Sequence, residues 1–381
     1  MNTLLQAAAE RASAMVADLE LLVCAESSSL DASRLAPAAE ILVDLVRDRL
    51  GVEPERVPAG DGDALLWRVG AGRRPVLLLG HYDTVWPTGS LLTHPWRIER
   101  EDGRNVARGP GCFDMKAGIV QAIHAAVLAR DAGVPIVLLM TPDEEVGSPD
   151  SRDLIETTAL GCRAVLVFEA SHGGALKTVR KGVGRYTLHV TGRAAHSGLE
   201  PELGRNAGME LAAQVLRIAG LADQGAGTTV VPTVMSAGTT INTVPASGSV
   251  AVDVRAVSLA ELRRVDAALR SLVPLDPDIL LAWTGGIDRA PLEESSSRTL
   301  ADIAQTIAAA WGVGPLAEAH VGGASDGNFT AGVGVPTLDG LGAVGAGAHA
   351  DDEHVIVDDM SIRAALAAGI IRALAHMEET L

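Results

Sequence analysis

The chain has 381 residues, more than one hydrophobic core usually organises, so two domains are expected. Hydrophobic residues make up 48% of it, and no apolar run approaches the roughly 18 residues of a membrane span, which points to a globular protein with no membrane partner. A net charge of −17 argues against nucleic acid as a partner, because a phosphate backbone calls for a basic face.

Residues 1–22 read as an amphipathic helix with no basic start and no cleavage site, hence not a secretory signal. The three cysteines, Cys24, Cys112 and Cys162, are odd in number, far apart and without a CxxC pair, which fits a reducing compartment and a cytoplasmic protein. The apolar run 75–79 reads as a buried strand ending in Gly80-His81-Tyr82-Asp83-Thr84-Val85. Residues two apart on an extended chain face the same way, so His81 can bind a metal while Asp83 helps to hold its ring. Taken alone, such a pair is more often a satisfied polar couple than a metal site.

Further along, Asp114 sits in the Gly/Pro-rich loop Arg108-Gly109-Pro110-Gly111-Cys112-Phe113-Asp114, directly before the helical pattern 117–130. The apolar run 134–140 leads into Thr141-Pro142-Asp143-Glu144-Glu145, and the run 164–167 leads into Phe168-Glu169. Near the end, Gly347-Ala348-His349-Ala350-Asp351-Asp352-Glu353 adds a second imidazole before a last helix. Any one cluster is explained by an acidic chain leaving solvated acids in loops. Together they place two His, one Asp and two or three Glu at strand exits, where α/β sheets form their sites.

Nitrogen and carboxylate ligands without a thiolate cluster suit two catalytic zinc ions, with Co²⁺ or Mn²⁺ as substitutes. Of the adjacent Glu144 and Glu145, one can coordinate while the other takes a proton from water.

The rhythm of the chain changes at about residue 182. Helical patterns alternate with short apolar strands before it, as in a mainly parallel sheet flanked by helices. Beyond it come a strand (184–190), a helix (206–219), strands (228–236 and 249–254), a helix (259–272) and a strand (279–283), the order of a ferredoxin-like α+β domain. The expected organisation is α/β, with a catalytic domain in two parts, 1–182 and 291–381, and an inserted domain, 183–290.

In these motifs and their order the chain resembles the dinuclear zinc metallopeptidase family of carboxypeptidase G, the aminoacylases, acetylornithine and succinyl-diaminopimelate deacylases and several dipeptidases. The resemblance covers nearly the whole chain and implies a zinc-exopeptidase fold with an inserted lid and dimerisation domain. It makes His81 and Glu169 ligands of one zinc, Glu145 and His349 ligands of the other, and Asp114 the bridge. Glu144 matches the family's general base and Asp83 the acid behind the ligating His. The bond after the bridging Asp is typically cis in relatives, so Asp114-Met115 is a candidate for one. Lys116 and Lys181, two of only three lysines, also fall in family motifs.

In the inserted domain, His196 in Gly192-Arg193-Ala194-Ala195-His196-Ser197-Gly198 matches the residue that reaches across a homodimer to stabilise the oxyanion in the partner's site. Asn242 matches a second polar group offered to substrate. Arg289 and the Gly322-Gly323-Ala324-Ser325-Asp326 loop match the groups that receive a substrate carboxylate, through Gly323 and Ser325 in particular. Arg255 is either a substrate contact or part of a structural ion pair with Asp253 or a neighbour.

Gly109-Pro110-Gly111 looks more like the carboxypeptidase G branch than the deacylases. The expected activity is therefore hydrolysis of an amide with release of a C-terminal amino acid, glutamate first, from a peptide or N-acyl substrate. An N-acyl amino acid deacylase or dipeptidase is the alternative within the family, and a non-catalytic binding homologue the alternative outside it.

Overall fold

The computed structural model describes residues 3–377; Met1, Asn2 and 378–381, which belong to the expected first helix and the last domain segment, lie outside the described residues. The chain divides into two compact units, one formed by Met1–Val179, Glu294–Val321 and Ser325–Leu381, the other by Arg180–Glu293 and Gly322–Ala324.

At the centre of the first unit lies a six-stranded sheet in the order Glu55–Ala59, Gly62–Val69, Ile136–Thr141, Val76–His81, Ala164–Val167, Thr337–Leu338. The last four strands of that order run parallel, and the first two join as an antiparallel edge. Its four parallel strands are buried along their whole length because both faces are covered. Val76 and Leu78 point into a large core against helices Ala12–Cys24, Ala32–Leu50, Ala117–Ala129 and Val357–Ala375, whereas Leu77 and Leu79 point into a smaller core with Ile155 and Phe329. Burying each such leucine contributes about 1.5–3 kcal/mol.

Among its helices the structure departs from the sequence expectation in two places. The N-terminal helix is broken: Thr3–Ala9 and Ala12–Cys24 are separate, with Arg11 at the break. Segment Cys112–Ala129 meets the length and hydropathy of a membrane span, yet 89% of it is buried inside the protein, so its hydropathy is that of a core helix.

A second, antiparallel sheet in this unit has the order Gly345–Ala346, His354–Ile356, Arg104–Arg108, Arg97–Glu101. Arg108 pairs with His354, so the loop leaving Arg108 and the loop entering His354 start side by side. That pairing carries residue 349 to residue 114.

The second unit is a four-stranded antiparallel sheet in the order Thr229–Ala237, Ser247–Ala256, Gly182–Thr191, Leu280–Arg289, with helices Ala207–Ala219 and Leu259–Arg270. This is the ferredoxin-like arrangement. Its own core includes Leu188, Val190, Leu211, Val252, Val254 and Leu262. Side chains of Asn206 and Ser258 cap the two helices by accepting backbone N–H bonds, which ends each preceding loop at a defined residue.

Candidate metal centre

His81 ends a strand whose six residues are all buried. Its Nδ1 lies 3.0 Å from the main-chain oxygen of Asp83 and 3.3 Å from Asp83 Oδ1. With a proton on Nδ1 shared with the carbonyl, Nε2 is the nitrogen that faces the acids of the site. Nε2 is 3.4 Å from Asp114 Oδ1 and 3.6 Å from Glu169 Oε1. Asp83 itself is fully buried and does more than stand behind the imidazole. Its carboxylate accepts the Ser29 hydroxyl at 2.7 Å and the backbone N–H groups of Glu144 at 3.2 Å and Glu145 at 3.1 Å. One acid thus orients the His81 ring and fixes the Glu-Glu turn.

Asp114 stands in a loop that packs without slack. Gly111 has φ 67°, and a Cβ there would collide with Thr84 Cγ2, so only glycine fits. The Asp114-Met115 bond is cis. Gly118, in the helix that follows, lies against the strand exit carrying Glu169, where a Cβ would collide with the Phe168 oxygen. Lys116 is buried, donates to the Ala25 oxygen at 3.0 Å, and is pushed down to about 8 by burial.

The second half of the site comes from Glu145 and His349. Glu145 lies in the short turn Glu144–Val146, and His349 adopts φ 62° in the tight connection between strands. His349 Nε2 is 3.5 Å from Asp114 Oδ2 and 3.1 Å from Glu145 Oε2. Asp114 therefore offers Oδ1 to the His81–Glu169 side and Oδ2 to the His349–Glu145 side. Ligand atoms of His81, Asp114 and Glu145, and likewise of His81, Glu144 and Glu169, lie within 4.8 Å of one another.

The donor set fits divalent metal ions. Among the described residues, His81 Nε2, Asp114 Oδ1 and Glu145 Oε1 are buried with no hydrogen-bond partner, and such polar atoms are costly unless something binds them. Without a cation, the acids hold protons on the imidazoles. Burial alone would lower the His81 pKa, yet Asp114, Asp83 and Glu169 raise it well above its ordinary value. His349 is raised to about 10 by hydrogen bonds to Asp114 and Glu145. Burial works to raise Asp114, but the two imidazoles hold it far below the usual carboxylate range, while burial pushes Glu145 up. This is the charge pattern of a site built for positive charge.

The model of the peptidase family M20/M25/M40 matches residues 77–373, which contain this whole cluster. The chain belongs to peptidase family M20/M25/M40. It is 32% identical to carboxypeptidase G2 of a Pseudomonas species over 98% of this chain and 92% of that one. Solved structures share the fold: an M20 metallo-carboxypeptidase of Sulfolobus solfataricus (TM-score 0.69, 18% identity, 95% of this chain and 99% of that one) and a dinuclear metal-binding M20 peptidase of Bacillus subtilis (TM-score 0.66, 14% identity, 97% and 99%). This M20 protein is accordingly a hydrolase of the metallopeptidase type.

In the second unit of the M20 chain, His196 is exposed, and its Nδ1 accepts the N–H groups of Gly198 and Leu199, each at 3.2 Å. With Nδ1 an acceptor, the neutral ring carries its proton on Nε2 as an outward donor. Ser197 N–H donates to the main-chain oxygen of Asn242 at 3.0 Å, so the two expected substrate-facing residues share one pair of loops. Arg255 is held by Asp253, at 2.9 and 3.1 Å, the structural one of its two expected roles. Arg289 is buried at the end of its strand. The Gly323 oxygen accepts Arg180 Nη1 at 3.1 Å. Ser325, in the first unit, is fully buried, and its hydroxyl donates to Asp339 Oδ2 at 2.6 Å while accepting Gly327 N–H at 3.1 Å.

Sequence reasoning missed the part played by Glu353. It is buried and takes four N–H donors from around the Asp114 loop. The available signal was its place: it is the last of three successive acids and stands directly before the strand His354–Ile356.

Proposed function

We propose that the protein is a carboxypeptidase that hydrolyses an amide bond and releases a C-terminal amino acid, with glutamate preferred. The observation that carries the hydrolytic reading is the division of the two Asp114 oxygens between two imidazole-carboxylate pairs, with Glu144 beside His81 and Glu169. The preference for a C-terminal residue is supported by the likeness to carboxypeptidase G2 over nearly the full chain.

His81, Glu169, Asp114, Glu145 and His349 would hold two divalent ions, zinc first and Co²⁺ or Mn²⁺ as substitutes. When bound, such ions would supply Lewis acidity, lowering the pKa of the attacking water and polarising the scissile carbonyl.

In this reading Glu144 takes the proton of the attacking water and passes it to the leaving amine. Asp83 holds the backbone of Glu144 and the ring of His81, so base and ligand keep one geometry. His196, from the other subunit of a homodimer, donates Nε2–H to the oxyanion, and Asn242 offers a further polar contact. Arg289 receives the free carboxylate of the substrate. A homodimer through the second unit is supported by its edge strand Thr229–Ala237, which exposes Val231, Val234 and Met235 beside Met209 and Leu216 of the neighbouring helix.

The test is amino acid release by zinc-loaded protein from aryl-peptidyl, N-acetyl and dipeptide substrates ending in glutamate, aspartate, arginine or leucine. Glutamate released chiefly from aryl-peptidyl substrates is the expected result. Preference for N-acetyl or dipeptide substrates would move the protein to a deacylase or dipeptidase, and no release from any of them would sink the enzymatic reading.

A further inference from the structure

Four N–H groups converge on the Glu353 carboxylate, whose residue is 3% exposed. Oε1 accepts Phe113 N–H at 2.8 Å and Asp114 N–H at 3.0 Å; Oε2 accepts Gly111 N–H at 2.9 Å and the Trp86 indole N–H at 2.5 Å. The three backbone donors belong to a loop that turns too sharply to satisfy them within itself. A charged acceptor makes bonds roughly twice as strong as a neutral one. Removing it would leave several buried N–H groups without a partner, which is the expensive outcome.

The location of Glu353 adds a second effect. It closes the loop that carries His349: Ala350 N–H donates to the Gly347 oxygen at 2.9 Å and Glu353 N–H to the Ala350 oxygen at 3.0 Å. The side chain that grips the Asp114 backbone therefore grows from the loop that presents one imidazole. Trp86 reinforces the same connection. Its ring lies 4.9 Å from that of His94, whose Nε2 is 3.5 Å from Asp351 Oδ1 in the His349 loop. His81, by contrast, is anchored on the other side by its strand and by Asp83.

We infer that Glu353 is a positioning residue that sets the distance between Asp114 and His349, so that it governs the second cation position, Asp114–Glu145–His349, more than the first, His81–Asp114–Glu169. The inference rests on the two-metal reading above. Glu353 touches no substrate in this role. It acts through the direction in which Asp114 presents Oδ2.

The experiment is a titration of metal-free wild type, E353Q and W86F with zinc by calorimetry, and with Co²⁺ by visible absorption, alongside melting temperatures of the metal-free proteins. In E353Q an amide NH₂ must face N–H donors, whereas W86F removes one donor and leaves the carboxylate in place. Wild type is expected to bind two equivalents. In E353Q the first should bind as in wild type and the second about tenfold or more weakly, with a smaller loss of the same kind in W86F. Two equivalents bound with wild-type affinities in E353Q would overturn the inference, and so would an equal weakening of both sites accompanying a lower melting temperature, the mark of a merely structural role. Should E353Q not fold, W86F decides: selective weakening of the second equivalent supports the inference, and unchanged or equally weakened sites refute it. Wild type binding fewer than two equivalents would instead refute the two-metal reading itself.

Discussion

In the first unit the candidate ligands stand in loops that leave or join strands, and those loops are tied to one another by buried acids; in the second unit the candidates sit in exposed loops or along a sheet. Asp83 uses one carboxylate to hold the backbone of Glu144 and Glu145, and Glu353 uses one to hold the backbone of the loop that carries Asp114. The His196 ring accepts N–H groups of its own exposed loop, and that loop is tied to the one carrying Asn242 by a main-chain bond. A sheet covered on both faces leaves its strand ends as the place where polar groups can gather, so chain order there predicts convergence. An antiparallel unit gives its exposed loops no such common destination.

The largest test of this contrast removes the base from the rigid side. Glu144→Ala should retain both metals, since the ligands and Asp83 are untouched, yet lose about three orders of magnitude or more in turnover. Metal analysis together with steady-state kinetics checks it; near-normal kcat would remove Glu144 from the mechanism. On the exposed side, His196→Ala should lower kcat by about 10²–10³ with KM and metal content little changed, because an oxyanion donor acts only as charge develops. A rise in KM alone would make His196 a binding residue.

The ligand cluster was legible because three motifs put a nitrogen or oxygen ligand where an apolar run stops, and two more, at Asp114 and His349, put one in a loop directly before a helical pattern. Glu353 was not, because three successive acids look alike in sequence and only the pairing of Arg108 with His354 decides which one turns inward. That pairing joins residues far apart in the chain, in a sheet of short strands with exposed faces and little periodicity. The break between Thr3–Ala9 and Ala12–Cys24 was hidden for a different reason: Glu10 and Arg11 are ordinary helix residues, and the bond from Arg11 to His124 at the break joins residues far apart in the chain. Ser325 shows the converse. Its motif suggested a hydroxyl free for substrate, while the fold commits that hydroxyl to Asp339.

A third test compares two buried histidines of the first unit with opposite shifts. His81 lies among carboxylates. His124 accepts a bond from Arg11 Nε at Nδ1, 3.0 Å, and has Nε2 2.7 Å from Asp18 Oδ2, which Arg49 also grips. Burial lowers the His124 pKa, Asp18 opposing it, so the ring stays neutral in the folded state. The unfolded chain then takes up the proton first, and stability falls as pH drops below about 6.5, the unfolded value. Asp18 is also lowered: burial raises it, but the bonds from His124 and Arg49 prevail, so its contribution is present above about 3.8 and lost as pH falls further. His124→Gln keeps a donor for Asp18 and an acceptor for Arg11 without titrating. Its melting temperature should fall less than that of wild type between about pH 7 and 5; parallel curves would show that His124 takes up its proton alike in the folded and unfolded states.

The smallest effect is expected at Arg255, where the second unit offers its own salt bridge. Arg255 and Asp253 are two residues apart on one strand and both partly exposed, so water competes for each charge and the pair contributes about 0–1 kcal/mol. Arg255→Gln should therefore shift the unfolding midpoint only slightly. If the guanidinium serves Asp253 alone, KM for a glutamate-terminated substrate will stay within about threefold of wild type, and Arg289→Gln will raise it far more, since a bidentate bond to a carboxylate is what an isolated amide cannot replace. A large rise in KM for Arg255→Gln with unchanged stability would mean that Asp253 holds the arginine ready for the substrate, and the exposed sheet of the second unit would then carry recognition that its contacts alone do not reveal.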